Sequence, residues 1–422
     1  MLTTKRCMKL FPWLIWILTG ITLYISIVWL LFFFIRQEQT KAKLPDPLPF
    51  VTIAVPAWNE GHHIEKTLRS LNSVNYPKNK YQVFVVNDGS KDDTANIVRA
   101  YLKKHKLKNF KLIDKKKNAG KAQALNSALR QAKGEYFSCL DADTTITRGS
   151  LKRIIGRFDK NVGAVISAMN VRNPHGLWGR MQQIEYVFTN FFRALMMHIG
   201  TLATTHGGLS TFNKRIIKKV GGFSEAGLTE DFEIGLRLRA NGYQLAIAQD
   251  AFTMTAVPTS FKQLWHQRIR WYRGFLINHY NYRHMFFNKE FGLLGSFQMP
   301  LNLVGIPLAV FAIGLVVYQL FVSSVQFITR LFTVEGYINE LFIKIPTIQE
   351  VLLSQNLKIM VPVTVGIFIW VIGLILSHKE TAQKLKISPS LILYLLIYPF
   401  MVGLHWIAAI FKELLKREKV WK

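Results

Sequence analysis

Three stretches of this chain, residues 12–35, 299–322 and 359–377, are apolar over the length needed to cross a bilayer as a helix, and a fourth, 391–411, nearly matches them. The first run is longer than a signal-peptide core and has no small-residue cleavage site after it, so it reads as an uncleaved anchor. Residues 51–282 contain no comparable run. The chain therefore divides into an N-terminal anchor over 1–45, a globular domain over 46–285 and a C-terminal membrane region over 286–422.

The charge pattern bears on orientation and partners. Lys5, Arg6 and Lys9 precede the first span and Arg36, Lys41 and Lys43 follow it, so basic flanks do not orient that span. Lys379, Lys384 and Lys386 favour the cytoplasm, and Glu335, Glu340 and Glu350 favour the other side, which places the globular domain inside the cell. The basic tail from Lys412 to Lys422 conflicts with three C-terminal spans, unless one is re-entrant or the tail is an exception. A formal charge of +29 implies an anionic partner, with nucleic acid, acidic lipid headgroups and phosphorylated substrates competing. The basic residues are spread over loops and membrane flanks, so lipid is favoured and no nucleic-acid partner is expected. Cys7 and Cys139 lie too far apart in sequence for a disulfide scaffold or a cysteine metal site, and suit a reducing compartment.

Within the globular domain, strand and helix patterns alternate. Residues 51–56, 81–87, 110–114 and 136–140 read as strands, and the segments around 61–74, 92–101 and 124–132 carry helical apolar spacing. Repeated βα units predict a mostly parallel sheet covered on both faces, with ligands at the carboxyl ends of the strands. Polar clusters stand at those ends.

Asp141 and Asp143 follow the fourth strand. Two carboxylates one residue apart can hold a divalent cation and orient a ribose or the cation's water shell, and hard oxygen ligands suit Mg²⁺ or Mn²⁺. An Asp-x-Asp turn with solvated carboxylates has the same sequence. Asp88, in Asp88-Gly89-Ser90, is either a turn residue or an acceptor for a nucleobase. Glu60, at the end of Pro56-Ala57-Trp58-Asn59-Glu60, either contacts a nucleotide or favours the start of the next helix. Lys121 either reaches phosphate oxygens or is solvated. Glu230 and Asp231 open a helix over 232–240, where they are caps worth about 1 kcal/mol or supply a general base for an acceptor hydroxyl.

Gln267, Arg270 and Trp271 share one helix face, because they lie three and four residues apart. Arginine and glutamine can hold a diphosphate, and an indole face can stack on a sugar ring. Equally, Trp265, Arg268, Trp271, Tyr272 and Arg273 can anchor an interfacial helix at headgroup depth, and both roles are compatible if the aromatic edge meets lipid. Residues 178–199, rich in Phe and Met with Arg180 and Arg193, read as a second such helix.

Taken in order, Asp88, Asp141/Asp143, Thr229-Glu230-Asp231 and Gln267-Arg268-Ile269-Arg270-Trp271 resemble the D, DxD, TED and QxxRW set of the family 2 membrane glycosyltransferases, which include cellulose, chitin and hyaluronan synthases. Asn87-Asp88-Gly89-Ser90, the Gly120-Lys121 turn, Asn173-Pro174 and Gln183-Ile184-Glu185-Tyr186 look most like the poly-β-1,6-N-acetylglucosamine synthase branch. The resemblance implies an α/β fold of the GT-A type, Rossmann-like and nucleotide-sugar-binding, on the cytosolic side of a multi-pass plasma-membrane protein. It also implies inverting transfer from a UDP-sugar to a growing β-linked glycan, with membrane lipid and small membrane or export subunits as further partners.

By the same resemblance Pro56, Glu60, Asp88, Lys121, Asp141, Gln267 and Arg270 serve the donor and Asp143 the metal. Asp231, with Glu230, is catalytic, and Trp271 is the acceptor platform. The segment from Thr205 to Ser210 corresponds to a small-residue stretch near the acceptor, and His206 within it reads as structural. A non-processive transferase acting on a lipid or short acceptor would carry the same motifs. A non-catalytic sugar-nucleotide sensor should have lost a carboxylate, and none is lost here.

Overall fold

The computed structural model describes residues 2–36, 43–334, 357–381, 383, 385 and 389–415. The charges at Lys41, Lys384, Lys386, Glu335, Glu340 and Glu350 and the tail from 416 lie outside the described residues, as do the side chains of Lys5, Arg6 and Lys9.

Strand β1 (Val51–Ala57) is buried at all seven positions, because helices cover both faces of the sheet. It pairs in parallel with β2 (Tyr81–Asp88) and with β4 (Tyr136–Leu140), and β2 pairs in parallel with β3 (Phe110–Lys115). Alternate residues serve opposite cores. Ile53 and Val55 pack with Ile64, Leu68 and Val98 from α2 (Ile64–Asn72) and α3 (Thr94–His105). Ala54 points the other way, among Leu125 and Ala128 of α4 (Lys121–Gln131) and Ile234 and Leu238 of α8 (Glu230–Ala240).

The expected mostly parallel sheet holds only for this first half. The full sheet has eight strands in the order β3-β2-β1-β4-β7-β6-β8-β5 and is mixed. β7 (Gly208–Asn213) runs antiparallel to both β4 and β6 (Val162–Val171), β8 (Gln244–Thr255) is parallel to β6, and β5 (Thr144–Ile146) closes the edge antiparallel to β8. Strand β7 is reached through the 23-residue helix α6 (Gly176–His198) instead of a βα turn, and the short helices α5 (Ser150–Ile155) and α7 (Lys214–Lys219) precede β6 and follow β7. Because β7 is reversed, its first residue meets the last of β4: Leu140 pairs with Gly208, and the Asp141 N–H donates to the Gly207 carbonyl at 2.8 Å.

Among the described residues, four helices are long and apolar enough to cross a membrane: the 13–35 part of α1 (Leu2–Ile35), α10 (Met299–Thr333), α11 (Leu357–Glu380) and α12 (Pro389–Leu414). They agree with the four apolar stretches of the sequence. Two further helices join them to the sheet. α6 packs Phe192 on Trp29 of α1 and Phe188 on Trp370 of α11, with ring centroids 5.3 and 6.0 Å apart. α9 (Phe261–Asn281) lies along α12 through Tyr272 on Trp406, Trp265 on His405 and a 2.6 Å ion pair from Arg273 to Glu413. Part of the α9 aromatic edge expected to meet lipid is thus met by the last membrane helix. Only tertiary packing could supply that partner.

Candidate active site

The loops after β1 and β2 brace one another. The Asn59 backbone, at φ 56°, donates its N–H to Ser90 Oγ at 2.9 Å, and Asn59 Oδ1 accepts from the Lys91 N–H at 2.8 Å. The Glu60 N–H donates to Thr94 Oγ1 at 2.8 Å, which holds the start of α3 against the end of β1. Glu60 is therefore fixed by its backbone, and its carboxyl lines the cavity at the strand ends.

Asp88 ends β2 with its side chain buried. One carboxylate oxygen accepts the N–H groups of Ala119 and Gly120, at 3.1 and 2.7 Å, and the other receives Lys115 Nζ. Asp88 thus shapes the loop leading into α4 before it can touch any ligand. The glycine after it is required, since Gly89 has φ +69° and a Cβ there would lie 2.6 Å from the Asn118 nitrogen.

Lys121 opens α4 and is nearly buried, with side-chain exposure of 14%. Its Nζ lies 2.7 Å from Asp141 Oδ1 and 2.9 Å from Glu230 Oε1. Burial alone would lower its pKa, but the charges of Asp141, Glu230 and Asp231 hold it well above the ordinary lysine range. The solvated reading of Lys121 is thereby overturned: paired carboxylates surround its ammonium. Glu230, with a side chain 6% exposed, is the counter-charge of Lys121. Gly207 is packed against the same group, since a Cβ there would stand 1.8 Å from Asp141 Oδ2.

Pro56, Glu60, Asp88, Lys121, Asp141, Asp143 and Arg270 line one cavity of about 230 Å³. Arg270 reaches it from α9 and donates to the Leu228 carbonyl at 3.3 Å. A second cleft, of about 340 Å³, joins it at Lys121 and is lined by Asn118, Gly120, Leu228 and Glu230. Asp231, Gln267 and Trp271 line neither. Gln267 has a buried side-chain oxygen with no hydrogen-bond partner, and Trp271 lies under the Arg268 guanidinium.

Electrostatically the cavity is crowded with carboxyls. Burial, then the charges of Asp143 and Asp141, pushes the Glu60 carboxyl up to about 8. Asp143 is raised by burial and by Asp141, and Thr144 Oγ1 donates to it at 3.0 Å. Asp231 is raised to about 6 by burial and the neighbouring Glu230 charge, against the pull of Lys121. Among the described residues no group of three or more His, Cys, Asp or Glu side chains is placed to hold a metal ion. Mg²⁺ and Mn²⁺ sites that borrow phosphate oxygens need only one or two carboxylates, and mutual repulsion between Asp141 and Asp143 is what a dication relieves. The residues present fit such an ion.

His206 is structural, as expected: buried, with Nε2 donating to the Ser167 carbonyl at 2.9 Å and Nδ1 accepting the Gly208 N–H at 3.1 Å. Arg268 does not stand at headgroup depth as the interfacial reading expects: it is buried within the protein against Glu185. Glu185 of α6 and Arg268 of α9 form a 2.5 Å ion pair in which the arginine is 1% exposed. A lone glutamate within the apolar stretch of α6 was the available signal for it.

A model of the glycosyltransferase-like family 2 matches residues 47–274 of the chain. The poly-β-1,6-N-acetyl-D-glucosamine synthases of Staphylococcus epidermidis and Staphylococcus aureus (strain COL) are each 31% identical to it, over 264 and 266 residues, or 60% of this chain and 63% of theirs. The match thus spans less than two thirds of those relatives. A mannosyltransferase from Pyrobaculum calidifontis, solved with GDP-Man and Mn²⁺, is 21% identical with a TM-score of 0.64 over 96% of both chains, a likeness of fold.

Proposed function

The chain belongs to the glycosyltransferase-like family 2, and on that premise we propose that it is a membrane glycosyltransferase moving a sugar from a UDP-sugar onto a β-linked glycan at the cytosolic membrane face. The observation that carries this is the convergence of Pro56, Glu60, Asp88, Lys121, Asp141, Asp143 and Arg270, from separate elements, on one cavity at the carboxyl ends of the strands. N-acetylglucosamine is the favoured sugar, since the staphylococcal relatives are named for its polymer.

Asp231 acts as general base. It takes the proton of the acceptor hydroxyl as that oxygen bonds to the anomeric carbon, and the carbon's bond to the diphosphate breaks with its electron pair leaving on UDP. A single displacement inverts the anomeric configuration and needs no covalent intermediate. With a pKa near 6, Asp231 is ionised at neutral pH yet basic enough to accept a proton. Asp143 and Asp141 would hold Mg²⁺ or Mn²⁺, which supplies positive charge to the diphosphate. Lys121 and Arg270 add positive charge on the same side, and Asp141 and Glu230 keep Lys121 protonated. Gln267 and Arg270 serve the donor, and Trp271 on the same helix, α9, is the acceptor platform.

The test is UDP release by purified full-length protein from UDP-N-acetylglucosamine, UDP-glucose and UDP-glucuronate, with Mg²⁺, Mn²⁺ or chelator, followed by linkage and length analysis of the product. GDP-mannose is included because the structural neighbour was solved with it. Release from UDP-N-acetylglucosamine that needs the cation and yields a β-linked polymer supports the reading. Turnover of GDP-mannose alone, or unchanged UDP release by Asp231→Asn, overturns it; single addition to a lipid moves the protein to the non-processive class.

A further inference from the structure

Arg268 is the largest fully buried side chain among the described residues, and it lies inside the helical segment that carries Gln267, Arg270 and Trp271. A buried guanidinium must be paired, and Glu185 of α6 pairs it at 2.5 Å. The carbon of the same guanidinium stands 4.2 Å from the centre of the Trp271 ring, three residues on and on the same helix face. Its Nε and Nη1 have no hydrogen-bond partner. An ion pair with orphaned donors is a poor way to gain stability, because apolar side chains of similar volume do at least as well. A flat cation held against an indole does something an apolar residue cannot: it occupies one ring face and orients the ring.

We infer that Arg268 is a positioning residue for Trp271: anchored by Glu185, its guanidinium covers one face of the indole, so that Trp271 offers a single, fixed face to the acceptor sugar. This rests on the reading of Trp271 as the acceptor platform given above. Its consequence is that helix α6, which packs on α1 and α11, sets the acceptor surface on α9. Glu185 and Arg268 touch neither of the two clefts at the strand ends, so donor handling is separable from them.

The experiment uses the full chain in detergent with Arg268→Lys, Glu185→Gln and Glu185→Asp, each with and without Trp271→Phe. The chain has 10 tryptophans, so Trp271 is read as the difference between each background and its Trp271→Phe partner. Lysine keeps the charge but cannot lie flat on the ring. The Trp271 emission is expected to shift red and its acrylamide quenching to rise about twofold in Arg268→Lys and Glu185→Gln, with Glu185→Asp nearer wild type. With UDP-N-acetylglucosamine as donor and a β-1,6-linked N-acetylglucosamine pentasaccharide as acceptor, the acceptor KM is expected to rise about tenfold, while donor KM and acceptor-free UDP release stay within about twofold. Unchanged Trp271 emission, or equal loss on donor and acceptor, overturns the inference. If wild-type protein releases no UDP at all, the functional reading fails, and the emission measurements alone decide whether Arg268 holds the ring.

Discussion

The ammonium of Lys121 lies 2.7 Å from Oδ1 of Asp141, tying the first residue of α4 to the carboxylate loop that follows β4. Glu230 joins the same ammonium from α8 at 2.9 Å, so three elements separated widely in sequence share one charge. Removing that charge leaves two carboxylates facing each other. Lys121→Met should lower stability by about 2 kcal/mol, less than a fully buried pair would, because the Asp141 side chain is 35% exposed. UDP release should fall by about a hundredfold or more. Thermal unfolding and steady-state assays in detergent measure both, and a variant of wild-type stability and rate would show the contact to be incidental.

Asp231 should impose the acid limb of the pH profile. Burial and Glu230 raise its pKa to about 6, so it loses its basic form as pH falls through that value. The maximal rate should drop about tenfold for each pH unit below 6 and level above 7. Asp231→Asn should cost about 10²–10⁴ in rate while retaining UDP binding. A limb unmoved in position, or activity surviving in that variant, would assign the base elsewhere.

Glu60 links stability to pH in the opposite sense from most carboxylates. Its pKa rises from 4.5 to about 8 on folding, so the folded state takes up the proton more readily. The stabilisation is complete below about pH 4.5 and is lost as pH rises through about 8. Glu60→Gln should therefore match wild type near pH 5 and exceed it at pH 8.5 by on the order of 2 kcal/mol, after allowance for solvent screening. Melting temperatures across pH, in ligand-free protein, show whether the two curves diverge upward.

Gly207 is defined by Asp141, since a Cβ would fall 1.8 Å from Oδ2. Gly207→Ala should displace that carboxylate, lower stability by about 1–3 kcal/mol and cut UDP release at least about tenfold. Titration of UDP and of Mn²⁺ by calorimetry should show both affinities reduced. Normal binding of both would mean that the loop yields at no cost.

His206 should contribute nothing to the pH profile. Burial holds its pKa at about 3, with the Arg193 charge adding to the effect, so the imidazole stays neutral from pH 5 to pH 9. His206→Gln should lower the melting temperature, through loss of the bonds to Ser167 and Gly208, and leave the acid limb where it was. A shifted limb would place His206 in proton transfer.

Much of the first half of the globular domain was legible, because each βα unit is encoded locally. Apolar runs bounded by polar turns place β1, β2, β3 and β4 within a residue or two of where they stand, and residues at or just past the ends of β1, β2 and β4 line the cavity. Glu60, Asp88, Asp141 and Asp143 reach the cavity for the same reason, since the end of a buried strand is a position in sequence as well as in space. The partners of those candidates were not readable. Nothing near Asp88 predicts that its oxygens are taken by Ala119, Gly120 and Lys115, and nothing near Lys121 names Glu230.

Length, periodicity and turn chemistry are local properties, so the long apolar stretches, the alternating units and the order of the carboxylate clusters can be read along the chain. Only the tertiary structure decided that β7 runs backwards beside β4, that Gly207 presses on Asp141, that Arg268 is buried over Trp271 against Glu185, and that α9 lies on α12. Each of these depends on which distant segment fills the space beside a residue. Burial, charge pairing and ring stacking are settled by that neighbour, whatever the local sequence prefers.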